Sequence, residues 1–416
     1  MDAISFTTAE AHVWDAIVVG AGPAGATTAL RLARGGQRVV LVDRHTMPRG
    51  KVCGCCLSPA AVAELEALAT HLPRDWGGDR MCPESLPLQG VRLAAGGRLV
   101  RIPLAGGQVV SREALDTALV QAAISHGSAW LPGATVCGVT DVGNASLEGQ
   151  NVPLVVSLRT DAGAVATLRG TRVILAVGLA DHVRVPDGSP VGLNAAPRRR
   201  ETLPDSRIGL GAVLPETSLT VAHPALAGLP AGELVMAVAA TGYCGIVRLE
   251  DGRIDLAAAL DRDAVRQAAS PATAVAAVLE SALGGPAGLG LETAGWRATP
   301  PLSGAAPLVA GVSRRIFRVG DAAGYVEPFT GEGMGWALVS GRLAADAILL
   351  ETRDAAAAAA RYVRDHAAHF GRHHARCRRV ALSLRQPRLV QVAVRAAEWW
   401  PWAARRLAPL VAGGGS

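Results

Sequence analysis

Lys51, Cys53, Cys55 and Cys56 fall within the run Pro48-Arg49-Gly50-Lys51-Val52-Cys53-Gly54-Cys55-Cys56-Leu57-Ser58-Pro59. Of 41 basic residues Lys51 is the single lysine. A thiol beside an ammonium group ionises readily, and the thiolate is the form that attacks, exchanges protons or ligates metal. Three uses are open to the cysteines: redox or catalytic work, metal binding, and service as small buried residues. Cys-x-Cys-Cys lacks the Cys-x-x-Cys spacing of a metal knuckle. A second candidate cluster, His366, His369, His373 and Cys377, falls on one helix face, but interleaved arginines would repel a cation, and a solvated basic face is the better reading. The cysteine count is odd, seven, and Asp2 and Glu10 stand where a signal peptide would be basic, so a disulfide framework is not expected.

The elements around this run are nucleotide-binding in pattern. Asp15-Ala16-Ile17-Val18-Val19 reads as a buried strand and leads into Gly20-Ala21-Gly22-Pro23-Ala24-Gly25. A helical pattern follows to Gly35-Gly36, and a second strand, Val39-Val40-Leu41-Val42, ends at Asp43. Gly20 permits the tight turn, Gly22 the approach of a pyrophosphate, and Gly25 close packing of helix on strand, while Pro23 and Ala24 open the helix whose free N–H groups face the phosphates. Asp43 lies 18 residues after Gly25, where a carboxylate accepts both ribose hydroxyls, with Arg44 beside it. An acid at this point selects a free 2′-hydroxyl, so FAD or NAD rather than NADP.

A second device stands near the other end. Arg318-Val319-Gly320-Asp321 closes a strand, and Pro328-Phe329-Thr330-Gly331-Glu332-Gly333-Met334-Gly335 leads into a helix of small and apolar residues. The pair resembles the flavoprotein family of geranylgeranyl reductases, aromatic-ring hydroxylases of the p-hydroxybenzoate hydroxylase type and flavin-dependent halogenases. The resemblance implies FAD, with Gly320 and Asp321 on the ribityl chain and the loop after Pro328, through Gly331, Gly333, Met334 and Gly335, on the ring. It also implies that Arg112 reaches the FAD from its helix start and that Val136 lies near the adenine. Fold class follows: α/β, a Rossmann-like, glutathione-reductase-like FAD-binding domain with a parallel sheet, a mostly antiparallel β substrate domain and a C-terminal helical tail.

Within that family the cysteine run is similar to the K-x-C-G segment of geranylgeranyl reductases, with Cys53 as the family cysteine and Cys55 and Cys56 replacing residues commonly glycine. This implies hydride exchange at flavin N5 with a thiol assisting. No W-x-W-x-I-P segment of the halogenases is present. Gly242-Tyr243-Cys244-Gly245-Ile246-Val247-Arg248 keeps the Tyr of a prenyl-binding motif but not its Trp or Phe-Pro. Val177 replaces an Asp that hydroxylases use for FAD and NAD(P)H contacts, so the electron donor is either NAD(P)H or a partner reductase. Two other readings stand beside the reductase: a monooxygenase hydroxylating an aromatic or polyketide substrate, and a flavin-binding protein without turnover, against which the intact ring-facing loop speaks.

With 416 residues, half of them hydrophobic, the chain has material for two or three domains. The expected division is 12–85, 110–185 and 300–350 for a discontinuous FAD-binding domain, 86–109 and 190–299 for the substrate domain, and 351–416 for a basic helical tail. Alternation in Gly90-Val91-Arg92-Leu93 and Gly245 to Leu249, with a turn at Asp251-Gly252, predicts antiparallel strands that roof an apolar small molecule. Tyr243 and Trp296 are candidates to line that site, or plain core. Residues 361–416 carry eleven Arg against Asp365 and Glu398, leaving −3 of the net +6 for the rest. Without interleaved aromatics elsewhere this excludes nucleic acid. Trp399, Trp400 and Trp402 among Arg395, Arg405 and Arg406 match an interfacial anchor as well as a docked tail. No apolar run reaches the ~18 residues of a span unbroken. The expected location is cytoplasmic, with peripheral contact at a membrane through the tail.

Overall fold

The computed structural model describes residues 1–69, 85–141, 153–180, 183–185, 201–203, 205–220, 222–305, 308–309, 313–327, 329, 331–400 and 402. Two sheets organise them. The first runs in the order Ala129–Leu131, Val39–Val42, Val13–Val19, Val165–Leu175, Leu154–Thr160, Ala134–Asp141, with Ile316–Arg318 joined to the far half of Val165–Leu175. Its centre is parallel: Ile17 lies opposite Val40 and Val173, and Phe317 opposite Ile174. Parallel strands are covered on both faces, so they need apolar residues throughout rather than alternately. Val39–Val42 is buried at every position for that reason. Leu154–Thr160 pairs antiparallel with its two neighbours.

The second sheet has eight strands, in the order Arg297–Pro301, Ile208–Leu214, Ile254–Leu260, Gly242–Arg248, Glu233–Ala239, Leu86–Ala95, Arg98–Val109, Cys56–Leu57. All neighbours are antiparallel except Glu233–Ala239 beside Leu86–Ala95. The expected turn at Asp251-Gly252 closes a hairpin, with Gly252 at φ +86°. One face of this sheet is covered by helix Pro271–Leu283 through Val275, Val278 and Leu279. The other face, with Leu88, Val91, Leu234, Met236 and Tyr243, turns toward the first sheet. Cys56–Leu57 ends the cysteine run as an edge strand here, Cys56 opposite Val109, although the run begins beside the glycine loop of the first sheet.

Three long helices follow the sheets among the described residues. Gly333–Leu350 packs on Pro23–Arg34, and Ala355–Ser383 packs along Gly333–Leu350. Gly333–Leu350 is long and apolar enough to cross a membrane, but most of it is buried in the protein core. Pro387–Trp399 lies on the cavity-facing side of the second sheet through Val390, Val394 and Ala397.

The histidine face of Ala355–Ser383 is not the solvated basic surface its sequence suggests. Phe370 and Cys377 are buried with Trp336, His366 lies edge-on to Tyr362 and tilted against Phe370, and His374 lies against Trp336 and Phe370. The Cys377 thiol donates to Glu332 at 3.0 Å. Burial holds the His366 and His374 imidazoles down at about 4, against 6.5 for a free histidine. Between those pH values the unfolded chain binds protons that the native helix refuses, so stability falls as pH falls through that window. Hydrogen exchange should show protection of residues 355–383 weakening between pH 6.5 and about 4, and less so in His366→Phe.

Candidate active site

A cavity runs between the two sheets, enclosing about 1580 Å³ with the space at its mouth.

One end is built from helix starts. Gly22 caps Pro23–Arg34 with no side-chain hydrogen bond, and Gly333–Leu350 also starts uncapped. Ser111, Ser270 and Asp354 cap their helices, while Arg262–Gln267 and Pro387–Trp399, which do not line the cavity, also lack a side-chain cap. Unfilled N–H groups with the positive dipole end make an anion seat. Backbone crowding explains the glycines: a Cβ on Gly25 would lie 1.8 Å from the Gly20 oxygen, and Gly20 itself sits at φ +100°. Asp43, nearly buried, braces this loop by accepting from the Ala21 N–H at 2.7 Å and the His45 N–H at 2.9 Å.

Two guanidinium groups flank Gly22, each with an Nη2 3.6 Å from where its Cβ would be: Arg112 and Arg49. Arg112 forks onto Asp116 at 2.9 and 2.6 Å. Burial opposes its charge, but Asp116 more than compensates and holds it cationic. Arg49 lies 3.6 Å from both Asp43 and Asp116, and its Nε is buried with no hydrogen-bond partner. The sequence reading passed over Arg49; the signal was a cation in the turn that follows the second strand of a nucleotide fold. Arg44, by contrast, is exposed and bonded to His45, outside the cavity lining. Val136 is packed in the core on the outer side of the first sheet with Val42 and Leu131.

Lys51, Gly320, Asp321, Gly331, Gly333 and Met334 line the middle of the cavity. Gly320 adopts φ +60° and its N–H donates to Ser340 at 3.0 Å. Gly335 lies one step further along the helix, packed on Ala61. Pro328 lies outside the described residues. Lys51 Nζ stands 3.7 Å from Asp321, and burial lowers its pKa against the pull of that carboxylate. Val177 points into the core behind the sheet, while Ala176, Gly178 and Leu179 face the cavity.

The three cysteines separate. Cys53 lines the cavity where the charged end meets the apolar sheet. A hydrogen bond from Cys55 draws its pKa down against burial, with Arg112 and Lys51 assisting. Cys55 has φ +50°, the one non-glycine residue in the left-handed region among those described, and faces away toward a second cavity. Such a backbone costs a side-chain-bearing residue roughly 1–2 kcal/mol. Cys56 also lines the first cavity, but burial raises its pKa, which keeps it a thiol.

The far end is apolar. Tyr243 and Phe329 meet edge to face at 5.1 Å beside Leu88, Val91, Leu234 and Met236. Behind Tyr243, fully buried Arg207 donates to Glu327 at 3.0 Å and Asp261 at 2.9 Å, with its charge 5.5 Å from the ring centre. Trp296 does not line this cavity: its indole donates to the Leu291 carbonyl at 2.9 Å and packs on the outer face of the second sheet, which corrects the expectation from sequence.

Fold and site together define a two-sheet dinucleotide-binding flavoprotein, and the chain belongs to the FAD-dependent oxidoreductases. A family profile described as FAD dependent oxidoreductase matches residues 15–52. The menaquinone reductase of Mycolicibacterium smegmatis is 30% identical over 392 residues, covering 91% of this chain and 86% of that protein. In fold, a flavoprotein/dehydrogenase from Cytophaga hutchinsonii superposes with a TM-score of 0.68 at 15% identity, over 96% of this chain and 92% of that one. A geranylgeranyl bacteriochlorophyll reductase-like protein from Thermoplasma acidophilum gives 0.66 at 18%, over 96% and 100%.

The residues fit FAD: two uncapped helix starts, a glycine cradle that a Cβ would fill, and an orphaned Arg49 Nε await a large anionic dinucleotide. A charge-assisted hydrogen bond contributes about 1.5–3 kcal/mol, so Arg49→Ala should weaken FAD binding roughly 10- to 100-fold by fluorescence titration. Gly25→Ala should abolish retention of FAD on gel filtration.

Proposed function

We propose that the enzyme reduces an apolar, lipid-like substrate of the prenyl or quinone class at the inner end of this cavity. One observation carries the reading: Cys53 stands at the seam between the cationic cradle and the apolar sheet face, where cofactor and substrate must meet. Bound FAD supplies a hydride. Arg49, Arg112 and the two helix starts hold its phosphates, Asp43 its ribose and Asp321 its ribityl chain. Leu88, Val91, Leu234, Met236 and the Tyr243–Phe329 pair exclude water from the reacting carbon. Cys53 cycles between thiolate and thiol: the thiolate, which Lys51 with Asp321 stabilises, is the resting form, and the thiol formed when it takes up a proton delivers that proton to the substrate. The name of the menaquinone reductase relative supports this substrate class. The electron donor is NAD(P)H or a partner reductase, and each sheet with its covering helices forms one domain.

Anaerobic protein carrying reduced FAD should be reoxidised by menaquinone in micelles, giving a product heavier by two hydrogens. Cys53→Ser should slow that step at least about tenfold. Reoxidation by oxygen alone, with a hydroxylated product, would replace this reading with the monooxygenase.

Such a substrate resides in a bilayer, and we assign the bilayer contact to Pro387–Trp399. Its inner face grips the sheet that lines the cavity, while Leu389, Val392, Trp399 and Trp400 on its outer face are each more than half exposed, flanked by Arg388 and Arg395. Trp and Leu beside Arg suit an anionic interface. In sedimentation with phosphatidylglycerol vesicles the protein should pellet, and Trp399→Ala with Trp400→Ala together should cut the bound fraction several-fold without loss of FAD.

A further inference from the structure

The Lys51–Cys56 turn is a wall between two cavities. On the side away from the FAD cradle lies a second cavity of about 760 Å³ with its mouth, lined by Cys55, Glu113, Arg253, Asp255 and Arg297 among others. Cys53 lines one cavity and Cys55 the other, two residues apart in one turn, and the Cys55 thiol donates back to the Cys53 carbonyl at 3.8 Å. Cys55 holds the left-handed backbone that glycine would occupy without strain, so something other than backbone preference keeps a thiol there. Asp255 reinforces the point. It is 5% exposed, lines the second cavity with Cys55, and its Oδ2 has no hydrogen-bond partner. Burial raises its pKa, so it is held as the neutral acid.

We infer that Cys53 and Cys55 form a redox-active dithiol that carries electron pairs from a small dithiol reductant in the second cavity to FAD in the first. The inference rests on FAD occupying the first cavity. In the oxidised state the two sulfurs are joined. A thiolate of the external dithiol attacks Cys55 Sγ, and Cys53 leaves as the thiolate, for which its surroundings suit it. The second external thiol loses its proton to solvent and displaces Cys55, which takes its proton from Asp255, and the external dithiol departs as a disulfide. Re-forming the Cys53–Cys55 bond returns the Cys55 proton to Asp255 and releases two electrons, for which bound FAD would be the acceptor. Asp255 is a positioning residue in this cycle, acting through Cys55.

The test uses protein whose FAD content has been measured, treated anaerobically with dithiothreitol. Bleaching of the bound flavin should be at least about tenfold faster in the wild type than in Cys53→Ser or Cys55→Ser, while dithionite bleaches all three. Cys55→Gly relieves the backbone and should fold yet bleach as slowly as Cys55→Ser, and Cys137→Ser, a remote thiol, should match the wild type. Asp255→Asn should move the pH profile of bleaching. Independently of FAD, diamide-treated protein alkylated without reduction should leave Cys53 and Cys55 unlabelled on one peptide lighter by two hydrogens. Bleaching of Cys55→Gly at the wild-type rate, or full alkylation of both cysteines after diamide, overturns the inference. Failure to bind FAD would instead remove the proposed function, and the alkylation result would still report on the dithiol.

Discussion

Two helices meeting backbone to backbone set the whole arrangement. A Cβ on Gly341 would lie 2.4 Å from the Ala24 carbonyl oxygen, and Thr28 donates to both Ala24 and Gly341 carbonyls across the contact. Gly320 closes the same corner, its missing Cβ 2.9 Å from that of Ala24. This approach brings the uncapped starts of Pro23–Arg34 and Gly333–Leu350 onto one cavity, although some 300 residues separate them in the chain. The extended dinucleotide seat, the ring-facing loop and the position of the cysteine turn between them all follow from that contact.

The charges at the seat show the same design. Asp43, Asp116 and Asp321 stand against Arg49, Arg112 and Lys51 within a few ångströms. Isolated buried charges are costly, and paired ones cost less without adding much stability. Such a set is better understood as preorganised for a ligand than as a source of folding energy. The pairings fix the cations in place before a pyrophosphate arrives, which reduces the reorganisation that binding demands. At the opposite end the Arg207–Glu327–Asp261 group fixes Tyr243 without entering the cavity, so the substrate end stays apolar.

What the sequence made legible was local. The glycine loop, the acid after the second strand and the Gly320-Asp321 step each announce their geometry in consecutive residues. Arg49 was missed because its role depends on the turn folding back over Gly22, which no spacing rule encodes. Asp255 was invisible for a related reason: in Ile254-Asp255-Leu256 alternation suggests a solvent-facing acid, but this sheet is covered on both faces. The stripe of His366, His369, His373 and Cys377 has the period of a helix face, and only the neighbouring Gly333–Leu350 helix decides that it packs. Trp296 is the converse case, an aromatic in the right segment that faces the wrong side of the sheet.

The function proposed for this site turns on Cys53 resting as a thiolate beside the flavin, a form that the Arg112 and Lys51 cations favour. A thiolate in contact with oxidised flavin gives a broad long-wavelength charge-transfer band. The most direct measurement is therefore the absorbance of the FAD-loaded protein as pH is lowered from neutral. The account predicts a band at neutral pH that disappears on acidification as the thiolate is protonated, and that is absent from Cys53→Ser. A band that survives in Cys53→Ser, or none at any pH in protein that holds FAD, would contradict it.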